Sequence, residues 1–178
     1  MPLDSLFTLE LDPPKSWITR PTYAPVDLDN LNLAATTQND INVKFELDKL
    51  IIDGHARDSH TSLPPRGLQI ALKNTLYDTQ IVANLGYLQI SALPGKWSLE
   101  IREGVGREVY ELESVGNLGW NSPNVDEISN EFMVDSFEGI KLYPRFKKKS
   151  GMENRDVLAE PQQNQLSLLA SKGIDTLV

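Results

Sequence analysis

The chain has 178 residues, 40% hydrophobic and 24% charged, a length and balance that suit one globular domain with irregular ends and argue against disorder throughout. With 25 acidic against 17 basic residues the net charge is -8, which repels phosphate backbones and anionic lipid, so nucleic acid and membrane surfaces are poor partners. The absence of cysteine removes disulfides, thiolate metal sites and cysteine nucleophiles, and leaves the redox compartment open.

The N-terminus, MPLDSLFTLELDPPKSW, carries no basic residue before Lys15 and no unbroken apolar run, so no secretory signal is expected in this chain. No stretch reaches the roughly 20 apolar residues that span a bilayer. After an apolar run at 6–11, residues 12–30 hold four prolines, which deny donors to a sheet and predict an extended connector. Short strand-like runs follow at 43–52, 67–72, 79–83, 87–90, 96–102, 107–112, 131–137 and 140–146. The clearest is KWSLEIR, where Trp97, Leu99 and Ile101 share one face and Lys96, Ser98, Glu100 and Arg102 the other. Val43, Phe45 and Leu47 take one parity and Leu50 and Ile52 the opposite one, which predicts a bulge or bend near Asp48 and Lys49.

Turn chemistry separates the runs at Asp53-Gly54, Pro64-Pro65-Arg66-Gly67, Asn84-Leu85-Gly86, Pro94-Gly95, Glu103-Gly104 and Glu138-Gly139. Asn84 and Gly86 are read as shaping a turn. Without helical periodicity before the C-terminal tail, crossover helices and parallel pairing are not expected. The prediction is an all-β fold, an antiparallel β-sandwich of about eight strands with an irregular N-terminal arm and a C-terminal linker. The expected division is 1–30 as the end of a preceding sandwich plus connector, 31–146 as the sandwich, and 147–178 as a polar linker with LSLLASKGIDTLV as a short helix.

Few groups invite chemistry. Asp27-Leu28-Asp29 has the Asp-x-Asp form that holds a divalent ion against a nucleotide sugar, yet it sits in the proline-rich connector and reads as solvated. Asp53, His55, Asp58 and His60 crowd into DGHARDSH with a plausible zinc ligand set, but the same residues make an ordinary hairpin loop, and strand spacing sends the two histidines to opposite faces. No Gly-x-Ser-x-Gly elbow is present, so no catalytic, cofactor or metal residue is assigned. Aromatic faces offer contacts to sugars or apolar segments. Trp17 is one such ring, and Trp97 falls on the core parity of its strand. Trp120, in the loop VGNLGWNSPNVDE, and Tyr87 are the candidate interaction residues. The cluster Arg145, Lys147, Lys148, Lys149 reads as a solvated strand end, with a docking patch as its rival.

Three stretches, FTLELDPPKSWITRPTYAPVDLDNLNL, LPPRGLQIAL and YDTQIVANLGYLQISALPGKWSLEIREG, together resemble the region just before the catalytic domain of UDP-glucose:glycoprotein glucosyltransferases, over about Leu6 to Lys149. The resemblance implies a second β-sandwich, preceded by the last strand of a first, inside a large folding sensor of the endoplasmic reticulum lumen. It implies that the transferase domain, with its UDP-glucose, divalent cation and own Asp-x-Asp, follows this region. Asp27 and Asp29 therefore inherit no catalytic role, and the chain alone is not expected to be an enzyme. The implied partners are adjacent domains of the parent protein and misfolded glycoprotein clients. The abrupt start at Met1 before a strand is what an expressed fragment or a truncated gene product would show, and the family's retention signal is not found at Asp175-Thr176-Leu177-Val178.

Overall fold

β4 (Lys44–His55) is the longest strand and the axis of the molecule, because it pairs with three others. The computed structural model describes residues 5–34 and 40–158; the tail segment LSLLASKGIDTLV lies outside the described residues. One edge of β4 takes β8 (Tyr87–Ala92), with Leu50 opposite Ala92 and His55 opposite Tyr87. The other edge takes β2 (Trp17–Tyr23) along its first half and β12 (Ile140–Leu142) along its second.

On the β2 side Ile18 is opposite Lys49 and Thr19 is opposite Leu47, so Asp48 is skipped. That bulge stands where the change of parity predicted it, and it turns Leu50 and Ile52 into the core while Phe45 and Leu47 stay half-buried. β2 itself lies within the stretch expected as an extended connector. Its Pro21 is tolerated because β2 is an edge strand that needs donors on one side only.

A second sheet has the order β11 (Glu131–Val134), β9 (Gly95–Ile101), β6 (Gln69–Leu72), β7 (Asp78–Gln80). Alternation works as read from the sequence: Ile70 and Leu72, Leu88, Ile90 and Ala92, Leu99 and Ile101, and Phe132 and Val134 all point into one core. Trp97 packs half-buried against that core, edge-on to Tyr77. A third sheet joins β10 (Tyr110–Ser114), β13 (Arg145–Lys148) and β5 (Arg57–Asp58), and a small one joins β1 (Leu6–Phe7) to β3 (Leu31–Asn32). The all-β architecture is as expected, although the described residues carry more and shorter strands than the eight read from the sequence.

Two expectations are corrected. β12 runs parallel to β4, and β13 runs parallel to β5. A parallel pair needs only that the chain return from the far end, and here the whole excursion between β4 and β12 supplies that return in place of a crossover helix. REVYEL is not one strand: α1 (Val105–Val109) takes its first half and β10 the rest. Gly104, at φ 134°, lets the chain turn into that single helical turn, and Gly106 lies against the Leu68 side chain. A second short turn, α2 (Val125–Ile128), precedes β11.

The packed part runs beyond Phe146. β13 continues to Lys148, the Lys149 N–H donates to the Val109 carbonyl at 2.9 Å, and Met152 and Val157 pack against the core.

β4 and β12 are pressed together at one point, where a Cβ on Gly54 would fall on the carbonyl oxygen of Leu142. Gly54→Ala must therefore separate two paired strands. It is expected to destabilise the chain by roughly 2 kcal/mol or more, read as a lowered midpoint in urea unfolding, whereas an alanine at Gly151, which meets no neighbouring atom and carries only the backbone strain of φ 83°, should cost distinctly less.

Candidate functional site

His55, on the last position of β4, is registered opposite Tyr87 on β8, and their rings meet edge-on with centroids 5.7 Å apart. The Tyr87 hydroxyl donates to Gln89 Oε1 at 2.8 Å. Two residues on, and so on the same side of the strand, Arg57 lays its guanidinium over the Trp120 ring at 4.1 Å, and that ring packs on Tyr143 at 5.0 Å. The structure thus brings both candidate residues, Tyr87 and Trp120, to one end of the sandwich, joined through His55 and Arg57. Both rings are half-buried. Trp120 packs against Arg57 and Tyr143, while the Tyr87 carbonyl accepts the Val82 N–H at 2.8 Å across the turn that closes onto Pro64, in which Val82 and Leu85 are exposed.

The Trp120 loop is held from beneath by Arg145. Its Nε donates to Glu113 at 2.9 Å, Nη1 to the carbonyls of Trp120 and Ser122, and Nη2 to Asn124 Oδ1 at 2.9 Å. The Arg145 and Glu113 side chains are 14% and 19% exposed, so this pair is largely withdrawn from water. Ser114 and Ser122, both buried, add hydrogen bonds that close the loop on itself. The reading of the basic cluster as a solvated strand end is corrected here for Arg145, whose planar fork satisfies several fixed acceptors at once. Of its neighbours, Lys147 pairs with Glu111 at 3.2 Å, Lys148 Nζ donates to the carbonyls of Glu153 and Arg155, and Lys149 Nζ to that of Arg107.

The remaining polar motifs disperse. The Asp29 N–H donates to Asp27 Oδ1 at 3.1 Å, which closes an exposed turn. Asp53 faces Lys141 at 3.9 Å. Asp58, 4% exposed, points inward and accepts the N–H groups of His60 and Thr61 at 2.8 and 2.9 Å. Strand alternation separates His55 from Asp58, and among the described residues no three histidine or carboxylate side chains come together around a metal position. Trp17 is also committed, donating Nε1–H to the Phe137 carbonyl at 2.8 Å.

Two hollows escaped the sequence reading. A cleft of about 450 Å³ opens between β9 and β10, with Leu99, Ile101 and Leu112 in its lining. Its charges are tied to one another: Arg107 holds Glu100 at 2.9 Å and Lys149 caps the Arg107 carbonyl. Tyr110, on its wall, has its phenol pushed up to about 12, first by burial and then by the carboxylates of Asp58 and Asp156. A second pocket, of about 400 Å³, lies beside the Asp58 turn. No signal marks either one in the sequence, because each is assembled from residues far apart in the chain.

A family model, UDP-glucose:Glycoprotein Glucosyltransferase, matches residues 53–159. The chain is 35% identical over 164 residues to human UDP-glucose:glycoprotein glucosyltransferase 1, and 33% identical over 168 residues to the UDP-glucose:glycoprotein glucosyltransferase of Drosophila melanogaster. The matches cover 90% and 92% of this chain but only 10% and 11% of those proteins, so the chain spans about a tenth of the length of its relatives.

Two outcomes follow from this geometry. Arg145→Ala leaves Glu113 and the loop carbonyls without a donor and is expected to cost about 3 kcal/mol in chemical unfolding, with Arg145→Lys recovering only part because an ammonium cannot span these acceptors. For Tyr110 the folded pKa lies above the ordinary phenol value of about 10, so the stability its neutral phenol contributes is full below pH 10 and lost as pH rises toward 12. Wild type should therefore lose stability relative to Tyr110→Phe across that window, measured by urea unfolding at successive pH values.

Proposed function

The chain belongs to the UDP-glucose:glycoprotein glucosyltransferase family, and on that premise we propose that it is a non-catalytic β-sandwich module that braces the transferase part of a longer endoplasmic reticulum protein against its client-sensing parts. The observation that carries this reading is the apolar N-terminal arm. Leu6, Leu9, Leu11, Ile18, Tyr23 and Leu33 are all exposed within residues 5–34. The outer edge of β2 takes no partner strand among the described residues, and β1 and β3 form a ladder of only two residue pairs. A ribbon that small is marginal in water, and an apolar surface beside a free strand edge calls for a covering neighbour. The neighbour proposed is another domain of the same polypeptide, since the relatives are about ten times longer than the matched region. UDP-glucose and a divalent cation belong, on this reading, to the transferase part.

A second reading has one observation in its favour: Leu63, Val82 and Leu85 are exposed beside Tyr87 and form an apolar rim suited to an unfolded glycoprotein client. Titration of a denatured glycoprotein against wild type and Tyr87→Ala separates the two. Binding weakened several-fold by the substitution favours client contact, and binding that is absent or unchanged removes it.

Bracing is tested first by the size of the native chain, on a denaturing gel of source cells with an antibody against residues 30–146. A band many times larger than the 19.9 kDa of this chain is expected; a band at that size overturns bracing. The purified 178-residue chain should transfer no glucose from UDP-glucose to a denatured glycoprotein, and turnover by it would overturn the non-catalytic assignment.

A further inference from the structure

The cleft between β9 and β10 is walled by two strand edges that, among the described residues, no strand covers. Along β9 the Lys73 N–H donates to the Ser98 carbonyl and the Arg102 N–H to the Gln69 carbonyl, both at 3.0 Å, so Ser98, Glu100 and Arg102 turn their backbone groups toward β6. Leu99 and Ile101 turn theirs the other way. Leu99 is taken up by Asn130, whose carbonyl accepts its N–H at 2.9 Å and whose Nδ2 donates to its carbonyl at 3.0 Å. There the ladder stops: Ser129, a non-glycine residue at φ 92°, brings the chain from α2 onto the edge only at Asn130. Ile101, 5% exposed, is left with its N–H and C=O facing the cleft, and among the described residues neither meets a partner.

The facing strand repeats the pattern. The Lys149 N–H donates to the Val109 carbonyl at 2.9 Å and Glu111 is registered with Lys147, so these two residues of the strand turn toward β13. The Tyr110 N–H is spent on the Gly106 carbonyl, which leaves the Tyr110 C=O and both backbone groups of Leu112 toward the cleft. Unpaired strand groups in a recess carry a cost that a further strand removes. We propose that the cleft is a slot for one extended strand and that residues 165–169 of this chain, Gln165 to Leu169, fill it, pairing with Ile101 on one side and Leu112 on the other. The inference uses this chain alone and is independent of the bracing reading.

Backbone pairing by itself selects no occupant, but the lining and the path of the chain do. Leu99 and Ile101 are buried and Leu112 and Val125 half-buried along the cleft, so the inserted strand needs apolar side chains on one face. Leu166 and Leu168 supply them, alternating with the polar Gln165 and Ser167. The charged groups of the lining are already engaged, Arg107 with Glu100 at 2.9 Å, Glu111 with Lys147 at 3.2 Å and Lys149 Nζ with the Arg107 carbonyl at 2.7 Å. A charged segment gains no partner there, and 165–169 carries no charge. Reach is sufficient. Arg155 pairs at 3.3 Å with Glu108, the neighbour of Arg107, and the Leu158 side chain lies over Gly67, so the described chain ends beside α1. From Leu158 to Gln165 an extended chain covers up to about 23 Å. The short helix expected for this segment is marginal by itself, whereas an edge on each side gives its backbone groups partners in both directions.

The test is amide hydrogen exchange on the whole 178-residue chain labelled with 15N. The Ile101 and Leu112 amides are expected to exchange at least about tenfold more slowly than open backbone. That slowing should be lost in the double variant Leu166→Asp/Leu168→Asp. The amides of Leu72 and Leu99, whose partners are the Tyr77 and Asn130 carbonyls, should keep their protection in it and so show that the fold survives. The absence of cysteine allows a second reading: a nitroxide on Ser171→Cys is expected to broaden the Ile101, Leu112 and Asn130 resonances before those of β7. The proposal is overturned if Ile101 and Leu112 exchange as open backbone in wild type, or if their protection persists in the double variant, which would mean that the edges are satisfied without the segment. Protection that falls on dilution would assign the slot to a second copy of the chain and overturn it equally, as would a nitroxide that leaves the cleft resonances sharp.

Discussion

The fold depends on the close approach of β4 and β12 at Gly54. There a side chain would collide with the Leu142 carbonyl, so glycine lets the two strands lie in parallel register. Directly beyond this point both chains step sideways together, β4 through Ala56 into β5 and β12 through Tyr143 and Pro144 into β13, and the parallel relation is kept in the next sheet. The Arg57 N–H to the Pro144 carbonyl at 3.2 Å and the Ala56 N–H to the Gly86 carbonyl at 2.7 Å tie the step on its two sides. One pair of bent strands thereby serves two sheets, and the core buried between them, with Leu50, Ile52, Leu142 and Phe146 at most 1% exposed, is continuous across the bend.

The bend also sets what each end of the domain presents. Because side chains alternate along a strand, a one-residue break at Ala56 leaves His55 and Arg57 on the outer side and sends Asp58 inward. The outer pair organises the aromatic row from Tyr87 to Trp120. The inward Asp58 caps the turn that forms one wall of the polar pocket. Arg145, on the adjacent β13, fixes the loop above. In a chain without disulfides this buried guanidinium is what pins the 116–124 loop to the sheet, and Gly116, at φ 79° against the Tyr143 backbone, lets the loop approach closely enough to be pinned.

Much of this was legible, for physical reasons that differ by element. KWSLEIR and QIAL gave their inward faces because a half-buried strand writes its burial as strict alternation. The bulge at Asp48 was legible because a skipped residue reverses that parity. β2 was hidden by Pro21, since a proline in an edge strand looks the same in sequence as one in a connector. The parallel pairs were hidden because register between distant strands leaves no local trace. At the aromatic end of the domain the sequence singled out Tyr87 and Trp120, but not Arg57 and Tyr143, which pack on the Trp120 ring. Arg145 was grouped with three lysines by charge, although the difference between a planar fork and a point charge is what its position uses.

The surfaces of this domain include two of different chemical kinds. The N-terminal arm and the rim around Leu63 and Leu85 expose aliphatic side chains, whose burial gains free energy with any apolar partner of fitting shape and so favours large, permanent contacts. The pocket at Asp58 is built of charged groups already paired, Lys147 with Glu111 and the Lys148 ammonium with two backbone carbonyls. The arm and the Asp58 turn are built from separate elements, β1 to β3 for the one and β5, β10 and β13 for the other. Burial of the one surface therefore draws on none of the residues that line the other.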